Sequence, residues 1–441
     1  MHQTPDRETS RVARGPSRKI AFVALGAVAG LLGGVFVIES GAVFGETRKQ
    51  AALALDGSAA QLPWKRYSDW PHTSWAKFNT LAKRDASPPA PKPNDPKKIT
   101  EAIAGDPAKG QKLVFDRTRG GGCLACHAMG PATAGAQVGN VAPDLSEIGN
   151  AGRTDEWFYN YIFDARVYNP ETVMPPWGAH GLYNDEEIRH MVAFLKTLKT
   201  PIKYKTAVDD PAKREVPKES RDNLDAMVNP GVWAVDKAKE LWSAKGTAGT
   251  ACATCHAKPE AQFKTWAASM PRWEPRLNKV LGVEEFIFRH AKATTGQSWL
   301  MQSEQNLAMA VYLRFLANGA EIKVDVTSTP AKAAAARGHQ LMERKIGQLN
   351  FACLDCHSPA KGALKWIRGQ WLGESKGQLD HFPTWRTSKL EIWDIRKRFQ
   401  WCGVAIRADE LLPDAAQYGE LELYLASLNN GLKLNVPGIR H

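Results

Sequence analysis

Residues 353–357 read Cys353-Leu-Asp-Cys356-His357. The same pattern, two cysteines one helical turn apart with histidine directly after the second, occurs twice more, as Cys123-Leu-Ala-Cys126-His127 and Cys252-Ala-Thr-Cys255-His256. Two thiols at this spacing can add to the two vinyl groups of one haem, and the adjacent imidazole then reaches the iron. A zinc site would need further clustered ligands, and a redox dithiol or a disulfide needs no following histidine. The motifs therefore predict three covalently bound haem c groups, with three proximal ligands: His127, His256 and His357.

The composition is that of a globular protein with several domains. The chain has 441 residues, of which 43% are hydrophobic and 24% charged. Its 58 Lys and Arg against 46 Asp and Glu give a net charge of +12. The basic residues are spread along the chain without a recognition helix or zinc finger, so nucleic acid is not an expected partner. The charge alone leaves anionic lipid, an acidic protein and small anions open.

The N-terminus predicts export. Basic residues precede an uncharged stretch of nineteen residues, from Ile20 to Ile38. This length favours a membrane-spanning helix over a cleaved signal peptide, although Ser40-Gly41-Ala42 is an acceptable cleavage site. Both alternatives place the rest of the chain in the periplasm, where such haems are attached, and an uncleaved helix would anchor it to the inner membrane. We therefore expect a signal or anchor in residues 1–45 and a Trp- and Pro-rich linker in residues 46–105.

Residues 106–201 have the pattern of a small monohaem cytochrome c domain. A first helix is expected near residues 108–115, and a closing amphipathic helix is expected after Asn184, where Glu187 completes a capping box. Between them Met174 lies in the proline-flanked stretch Thr-Val-Met-Pro-Pro. A neutral, soft thioether in a stiff loop is a suitable sixth iron ligand, so we predict Met174, with His180 and Met129 as weaker candidates.

The remaining chain contains an internal repeat, which predicts two more cytochrome c domains at residues 202–325 and 326–441. Three pairs of segments are separated by the same offset of 112 residues: Pro271-Arg272-Trp273 with Pro383-Thr384-Trp385, Tyr312-Leu313 with Tyr424-Leu425, and Asn318-Gly319 with Asn430-Gly431. The haem motifs are 101 residues apart, so the second copy has an eleven-residue insertion just after its motif. The expected fold is mainly α, with three cytochrome c-type domains, the last two a repeat, after an N-terminal apolar helix.

The repeat also aligns His290 of the first copy with Cys402 of the second, and both are plausible sixth iron ligands. Cys402 is the one cysteine outside the haem motifs, and an odd cysteine in an exported protein suggests a reactive or metal-bound thiol. Nearby basic residues would favour its thiolate form and attract an anion; they are Arg396, Lys397, Arg398 and Arg407. The alternatives are an inert buried cysteine and, for His290, a surface imidazole.

These segments resemble the two subunits of the SoxXA cytochromes of the sulfur-oxidising system. Residues 106–201, with their Cys-Leu-Ala-Cys-His motif and Thr-Val-Met-Pro-Pro loop, resemble the monohaem subunit SoxX. Residues 230–441 resemble the dihaem subunit SoxA, most specifically in Arg398-Phe-Gln-Trp-Cys402 and in the ending Pro437-Gly-Ile-Arg440. The chain therefore resembles a natural SoxX–SoxA fusion.

The resemblance implies an L-cysteine S-thiosulfotransferase, which joins thiosulfate oxidatively to a cysteine of the carrier protein SoxYZ. Two electrons would pass through the haems to a downstream cytochrome c or oxidase. It implies that Cys402 is both haem ligand and catalytic thiol, as a persulfide or a transient thiosulfate adduct, and that Arg398 binds the anion. His290 departs from the family, in which this position is cysteine. A multihaem electron carrier and a thiosulfate dehydrogenase forming tetrathionate remain alternative functions.

Overall fold

The computed structural model describes residues 78–82, 93–119, 122–217, 223–408 and 410–441. Within these ranges the protein is mainly α-helical, as expected. The predicted N-terminal segment, including Ile20 to Ile38, and most of the predicted linker lie outside them. Among the helices of the described ranges, none combines the length and apolar composition needed to cross a bilayer.

The first cytochrome region is built on three helices, α1 (Pro107–Phe115), α2 (Asp155–Asp164) and α3 (Asp185–Thr197). Helix α3 begins with the predicted capping box, because the Asn184 side chain accepts a hydrogen bond from Glu187 N and the Glu187 carboxylate accepts one from Asn184 N. Helix α1 crosses α3 at Gly110, where any Cβ would collide with a backbone carbonyl of α3.

The apolar side chains predicted for α3 form the centre of this region's core. Ile188, Met191 and Val192 are almost completely buried, and they pack with residues of α1 and α2, such as Val114 and Phe158. Burial of each large aliphatic side chain contributes roughly 1.5–3 kcal/mol. The core therefore fixes α1 and α3 around the first haem motif.

The repeat predicted from the sequence is present in the order of elements. The first copy comprises α4 (Trp233–Ser243), α5 (Cys252–Cys255), α6 (Pro259–Gln262), β1 (Arg272–Glu274), β2 (Lys279–Leu281), α7 (Val283–Thr295) and α8 (Glu304–Phe315). The second comprises α9 (Thr329–Glu343), α10 (Cys353–His357), β3 (Trp366–Ile367), β4 (Gln370–Trp371), β5 (Thr384–Arg386), β6 (Glu391–Trp393), α11 (Ile395–Ala405) and α12 (Ala416–Ser427), followed by β7 (Gly438–Arg440). From β1 to α8 every element recurs 112 residues later, and the β3–β4 hairpin lies in the predicted insertion.

The two copies share one apolar core. Strands β1 and β2 form an antiparallel hairpin, and β5 pairs antiparallel with β6 and parallel with β7. Val280 and Leu281 of the first copy pack in the same buried cluster as Ile395, Tyr418 and Leu421 of the second. The predicted boundary after residue 325 thus separates two repeats along the chain, while their apolar side chains belong to a single core.

Candidate haem and thiol site

The histidines of the first and third motifs are oriented as proximal haem ligands would be. His127 Nδ1 lies 2.6 Å from the Pro143 carbonyl oxygen, and His357 Nδ1 lies 2.8 Å from that of Gly373. An imidazole that donates from Nδ1 to a carbonyl leaves Nε2 as the nitrogen that can bind a metal. These side chains therefore fit a haem iron.

The cysteines of these two motifs lie in apolar surroundings. Burial is the largest effect and raises the pKa of Cys123, Cys126, Cys353 and Cys356 to about 12 in each case. A partly buried thiol pair of this kind fits thioether bonds to an apolar macrocycle, because the neutral sulfur carries no charge to be solvated.

In the middle motif, His256 faces His290. Their ring centroids are 6.1 Å apart and their planes are inclined by 52°. Two imidazoles bound to opposite sides of one metal, each with a metal–nitrogen distance of about 2 Å, have centroids about 6 Å apart. Phe286, one turn before His290 on α7, stacks on the His290 ring at 5.2 Å and 13°. The described structure thus brings the two predicted ligands of the middle haem together.

Met174 borders the same apolar core as the first motif. It is half-buried against the same apolar cluster as Cys123, and its backbone N donates to Thr172 Oγ1 at 3.1 Å. The His180 ring bonds the Gln348 carbonyl oxygen through Nδ1 at 2.8 Å, which leaves its buried Nε2 without a partner, and Met129 is buried in the same apolar cluster against which Met174 packs. Met174 stays the predicted ligand because of its proline-flanked position in the sequence.

Cys402 and Arg398 lie on one face of α11, because residues four apart on a helix are neighbours. The Asp394 carboxylate caps the start of this helix by accepting from Lys397 N. Burial raises the pKa of Cys353, and the nearby Cys402 raises it further. Burial lowers the pKa of His357, and the positive charge of Arg398 lowers it further. Cys402 and Arg398 are therefore within electrostatic reach of the third haem motif.

Arg386 on strand β5 is a functional candidate that the sequence reasoning missed. Burial, followed by the like charge of Arg398, lowers the pKa of Arg386 to about 9, and Cys402 and Arg440 also act on it. Its Nε atom is buried without a hydrogen-bond partner, and its guanidinium lies 5.6 Å from the Trp393 ring centroid. In the described ranges neither Arg386 nor Arg398 forms an ion pair with a carboxylate. A partly buried cation that no carboxylate neutralises, next to a second cation, favours an anionic ligand.

The repeat offset could have revealed Arg386. The residue 112 positions earlier is Glu274, and the residue matched to Arg398 is Phe286. The second copy thus has two cations near Cys402, and the matched positions of the first copy hold an acid and an aromatic residue. A change of charge at matched positions indicates where two repeats differ in function.

Two of the basic residues expected near Cys402 form ion pairs with carboxylates instead. The Arg396 guanidinium is buried between Glu285 and Glu422, at 2.9 and 2.8 Å, and Lys397 Nζ lies 2.9 Å from a Glu391 carboxylate oxygen. Arg396 and Lys397 are six and five residues before Cys402, so they point to other faces of α11. Arg407, also expected there, is buried just beyond the end of this helix.

The first and third haem motifs are neighbours. Arg368 N, in the turn between β3 and β4, donates to the Ala125 carbonyl oxygen inside the first motif at 3.0 Å. Asn140 N donates to the Trp366 carbonyl oxygen at 3.0 Å, and Trp366 N donates to Asn140 Oδ1 at 2.8 Å. Burial raises the pKa of Cys356, with contributions from Cys402 and then Cys126, so both other thiols are close.

Family comparisons identify cytochrome c domains in two places. Residues 237–322 match the model "SoxA/TsdA, cytochrome c domain", and residues 106–195 match "Cytochrome C oxidase, cbb3-type, subunit III". The chain is therefore a c-type cytochrome, as its motifs predict, and covalently bound haem c follows from this class. The numbers of domains and haems remain predictions.

Curated relatives narrow the assignment. The L-cysteine S-thiosulfotransferase subunit SoxA of Pseudaminobacter salicylatoxidans is 28% identical over half of this chain and 77% of its own length. The protein of the same name from Paracoccus pantotrophus is 29% identical over half of this chain and 74% of its length. These similarities support a SoxAX-type cytochrome with a SoxA-related part. Both relatives are named as enzyme subunits, which confirms the resemblance on which the enzyme prediction rests.

Among solved structures, the chain is similar to the crystal structure of SoxXA from P. pantotrophus. The sequence identity is 28%, the match covers 49% of this chain and 80% of that one, and the TM-score is 0.45.

Proposed function

We propose that this protein is a periplasmic, haem-dependent L-cysteine S-thiosulfotransferase that couples thiosulfate to a cysteine of the carrier SoxYZ. One observation carries the proposal: Cys402 shares a helix face with Arg398, next to Arg386 and the third haem motif. The name of the SoxA relatives supports the activity. An electron carrier would have no need of unneutralised cations around a free thiol.

Three haem c groups would be held by the six motif cysteines. Their iron ligands would be His127 with Met174, His256 with His290, and His357 with Cys402. When bound, the haems supply sites that take up one electron each. These side chains fit that role, since each proximal histidine would have a soft or imidazole partner, and His256 and His290 already face each other.

The cations near Cys402 would bind the sulfonate end of thiosulfate. Guanidinium groups match planar pairs of oxyanion oxygens and are weakly hydrated, so they bind such anions in partly dry sites. Arg398 comes from α11 and Arg386 from β5, so they approach from two elements. An anion there would neutralise both and leave the outer sulfur directed to Cys402.

The proposed reaction at Cys402 has two steps, an oxidative coupling and a sulfur transfer. The Cys402 thiolate forms an S–S bond with the outer sulfur of thiosulfate, giving a Cys402–S–S–SO₃⁻ adduct and releasing two electrons. The thiolate of the carrier cysteine then attacks the middle sulfur, takes over the S–SO₃⁻ group and restores the Cys402 thiolate. Cations that bind the sulfonate stabilise the developing charge during both steps.

The first haem motif, which neighbours the third, could accept the electrons released at Cys402. The hydrogen bond from Arg368 N to the Ala125 carbonyl oxygen joins the β3–β4 turn of the second copy to the first motif, so the third and first motifs are neighbours. We propose that the electrons leave through the Met174 centre to a downstream cytochrome c or oxidase.

The test is an assay of the haem-loaded protein with thiosulfate and oxidised cytochrome c, with and without SoxYZ. We expect reduction of the acceptor that requires SoxYZ and adds one thiosulfate to the carrier, measured by intact mass. Acceptor reduction without SoxYZ, with tetrathionate as product, would identify a thiosulfate dehydrogenase instead. Electron transfer from a chemical reductant without any reaction of thiosulfate would identify an electron carrier.

A further inference from the structure

Lys345 connects the third haem motif to the loop of Met174. Its Nζ atom lies 2.7 Å from Asp355 Oδ2 and donates to the Thr172 carbonyl oxygen at 3.2 Å. Asp355 is the third residue of the motif Cys353-Leu-Asp-Cys356-His357, and Thr172 is two residues before Met174. We propose that Lys345 is a positioning residue that holds Met174 on the iron of the first haem and couples this loop to the third haem. The proposal rests on Met174 as ligand.

Asp355 does not need Lys345 for charge balance. Its side chain is completely buried, and its carboxylate accepts a hydrogen bond from Ala352 N at 2.8 Å at the start of α10. A second cation, Lys361, lies 2.8 Å from the other carboxylate oxygen. Lys361 therefore neutralises Asp355 from within the same domain, whereas Lys345 uses the same carboxylate to reach the other domain.

Thr172 passes the contact on to Met174. Its carbonyl oxygen accepts from the Lys345 ammonium group, and its hydroxyl oxygen accepts from Met174 N. Hydrogen bonds to charged groups are stronger than neutral ones, so the ammonium group fixes this carbonyl firmly. Without Lys345 the Thr172 carbonyl oxygen would lose its charged partner, and the loop that carries Met174 would be held less firmly.

Other hydrogen bonds near Lys345 also join the two domains. His180 Nδ1 lies 2.8 Å from the Gln348 carbonyl oxygen, and Gln348 Nε2 donates to the His180 carbonyl oxygen at 2.8 Å. These bonds join the turn after Lys345 to the chain after Met174. The loss of Lys345 should therefore loosen the methionine loop without separating the domains.

The experiment compares Lys345→Met with the matched control Lys361→Met, since both remove one cation from Asp355. The oxidised, haem-loaded proteins are titrated with imidazole while the near-infrared methionine–iron band is followed. We expect the apparent affinity for imidazole to rise about tenfold in Lys345→Met, to change less than about twofold in Lys361→Met, and to return toward wild type in Lys345→Arg. Equal effects of the Lys345 and Lys361 variants, or no effect of either, would overturn the proposal.

A second variant keeps the test decisive if Lys345→Met takes up too little haem. Thr172→Val removes the hydroxyl group that accepts from Met174 N and keeps a β-branched side chain of similar size. It should also raise the affinity for imidazole, and unchanged affinity counts against the proposal. In Met174→His the band must vanish. If it persists, Met174 is not the ligand; if it vanishes while Lys345→Met and Thr172→Val behave as wild type, only the role of Lys345 fails. Neither readout requires thiosulfate chemistry.

Discussion

His290 and Cys402 occupy matched positions on α7 and α11. The residues next to them on these helices also differ in chemistry. One helical turn earlier stands Phe286 in the first copy and Arg398 in the second. An imidazole can bind iron, but it cannot take up a sulfane sulfur through a disulfide bond, whereas a thiolate can do both. Sulfur chemistry is therefore expected in the second copy alone.

Replacement of these two residues should separate chemistry from haem binding. Cys402→Ser should abolish thiosulfate coupling while all haems stay attached, because the thioether bonds and His357 do not depend on it. His290→Ala should alter the spectrum of one haem and spare much of the turnover. Both variants are checked by absorption spectra and by the SoxYZ assay. Near-normal coupling by Cys402→Ser would contradict the thiosulfotransferase proposal.

Arg386 gives a prediction about substrate affinity. Arg386→Met should raise the KM for thiosulfate roughly 10- to 100-fold, which corresponds to the loss of one charged hydrogen bond. The control is Arg276→Met, which removes a largely exposed arginine near the matched hairpin of the first copy. KM is measured with saturating SoxYZ, and haem content is compared for all variants. Equal KM values for wild type and Arg386→Met would exclude a role for this arginine in anion binding.

At the scale of elements, the sequence predicted helices better than strands. The capping box at Asn184 predicted α3, and the offset of 112 residues aligned the segments that form the pairs α7/α11 and α8/α12, because caps and repeats are direct signals in the sequence. Strands β1, β2, β5, β6 and β7 are three residues long, too short for an alternating pattern. Arg386 was missed for this reason, since its proximity to Cys402 depends on the pairing of β5 with its neighbours.

Helix α11 begins in a buried network of charges between the two copies. Asp394, at its N-terminus, is buried, and Arg396 bridges Glu285 of α7 and Glu422 of α12. Burial, reinforced by the negative charge of Glu284, raises the pKa of Asp394 to about 7. The same network thus anchors the two helices that carry His290 and Cys402.

This shift predicts how stability depends on pH. The pKa of Asp394 is near 3.8 in the unfolded chain and near 7 in the folded protein. Its contribution to the free energy of unfolding is therefore complete below pH 3.8 and is lost as the pH rises through about 7. Relative to Asp394→Asn, which still caps the helix, the wild type should lose up to about 1.4 kcal/mol of unfolding free energy per pH unit between these values.

The measurement is urea unfolding of the haem-loaded proteins at about pH 5 and about pH 7. Asp325→Asn is a control of opposite sign, because hydrogen bonds from Ser328 and Thr327 lower the pKa of Asp325. Asp325 contributes fully to the free energy of unfolding at both pH values, so Asp325→Asn should be destabilised equally at each. Parallel pH dependence of wild type and Asp394→Asn would show that Asp394 is ionised throughout.

At the scale of the whole chain, noncovalent contacts as well as the connecting segment hold the first cytochrome region against the second copy of the repeat. Arg214, in the segment after the first cytochrome region, donates to the Val138 carbonyl oxygen at 3.3 Å and to the Arg368 carbonyl oxygen at 2.6 Å. Its guanidinium also lies 4.7 Å from the Trp366 ring centroid. The connecting segment therefore forms part of the contact between the first and third motifs.

Three motifs in one chain predict the mass of the mature protein. Intact mass spectrometry of denatured protein should show the polypeptide plus three haems, because thioether bonds survive denaturation. Cys126→Ala, Cys255→Ala and Cys356→Ala should each weaken or remove one attachment. A wild-type mass with two haems or fewer would contradict the assignment, whatever the activity.

The ligand sets also predict the order in which the three centres are reduced. A neutral thioether favours the reduced iron, and an anionic thiolate favours the oxidised iron, so the Met174 centre should have the highest potential and the Cys402 centre the lowest. Electrons released at Cys402 would then run downhill to the Met174 centre. A potentiometric titration of wild type should show that the component with the methionine–iron band is reduced first. Met174→His should lower that component alone, and Cys402→His should raise the lowest one alone. If Met174→His leaves the highest potential unchanged, electrons leave by another centre.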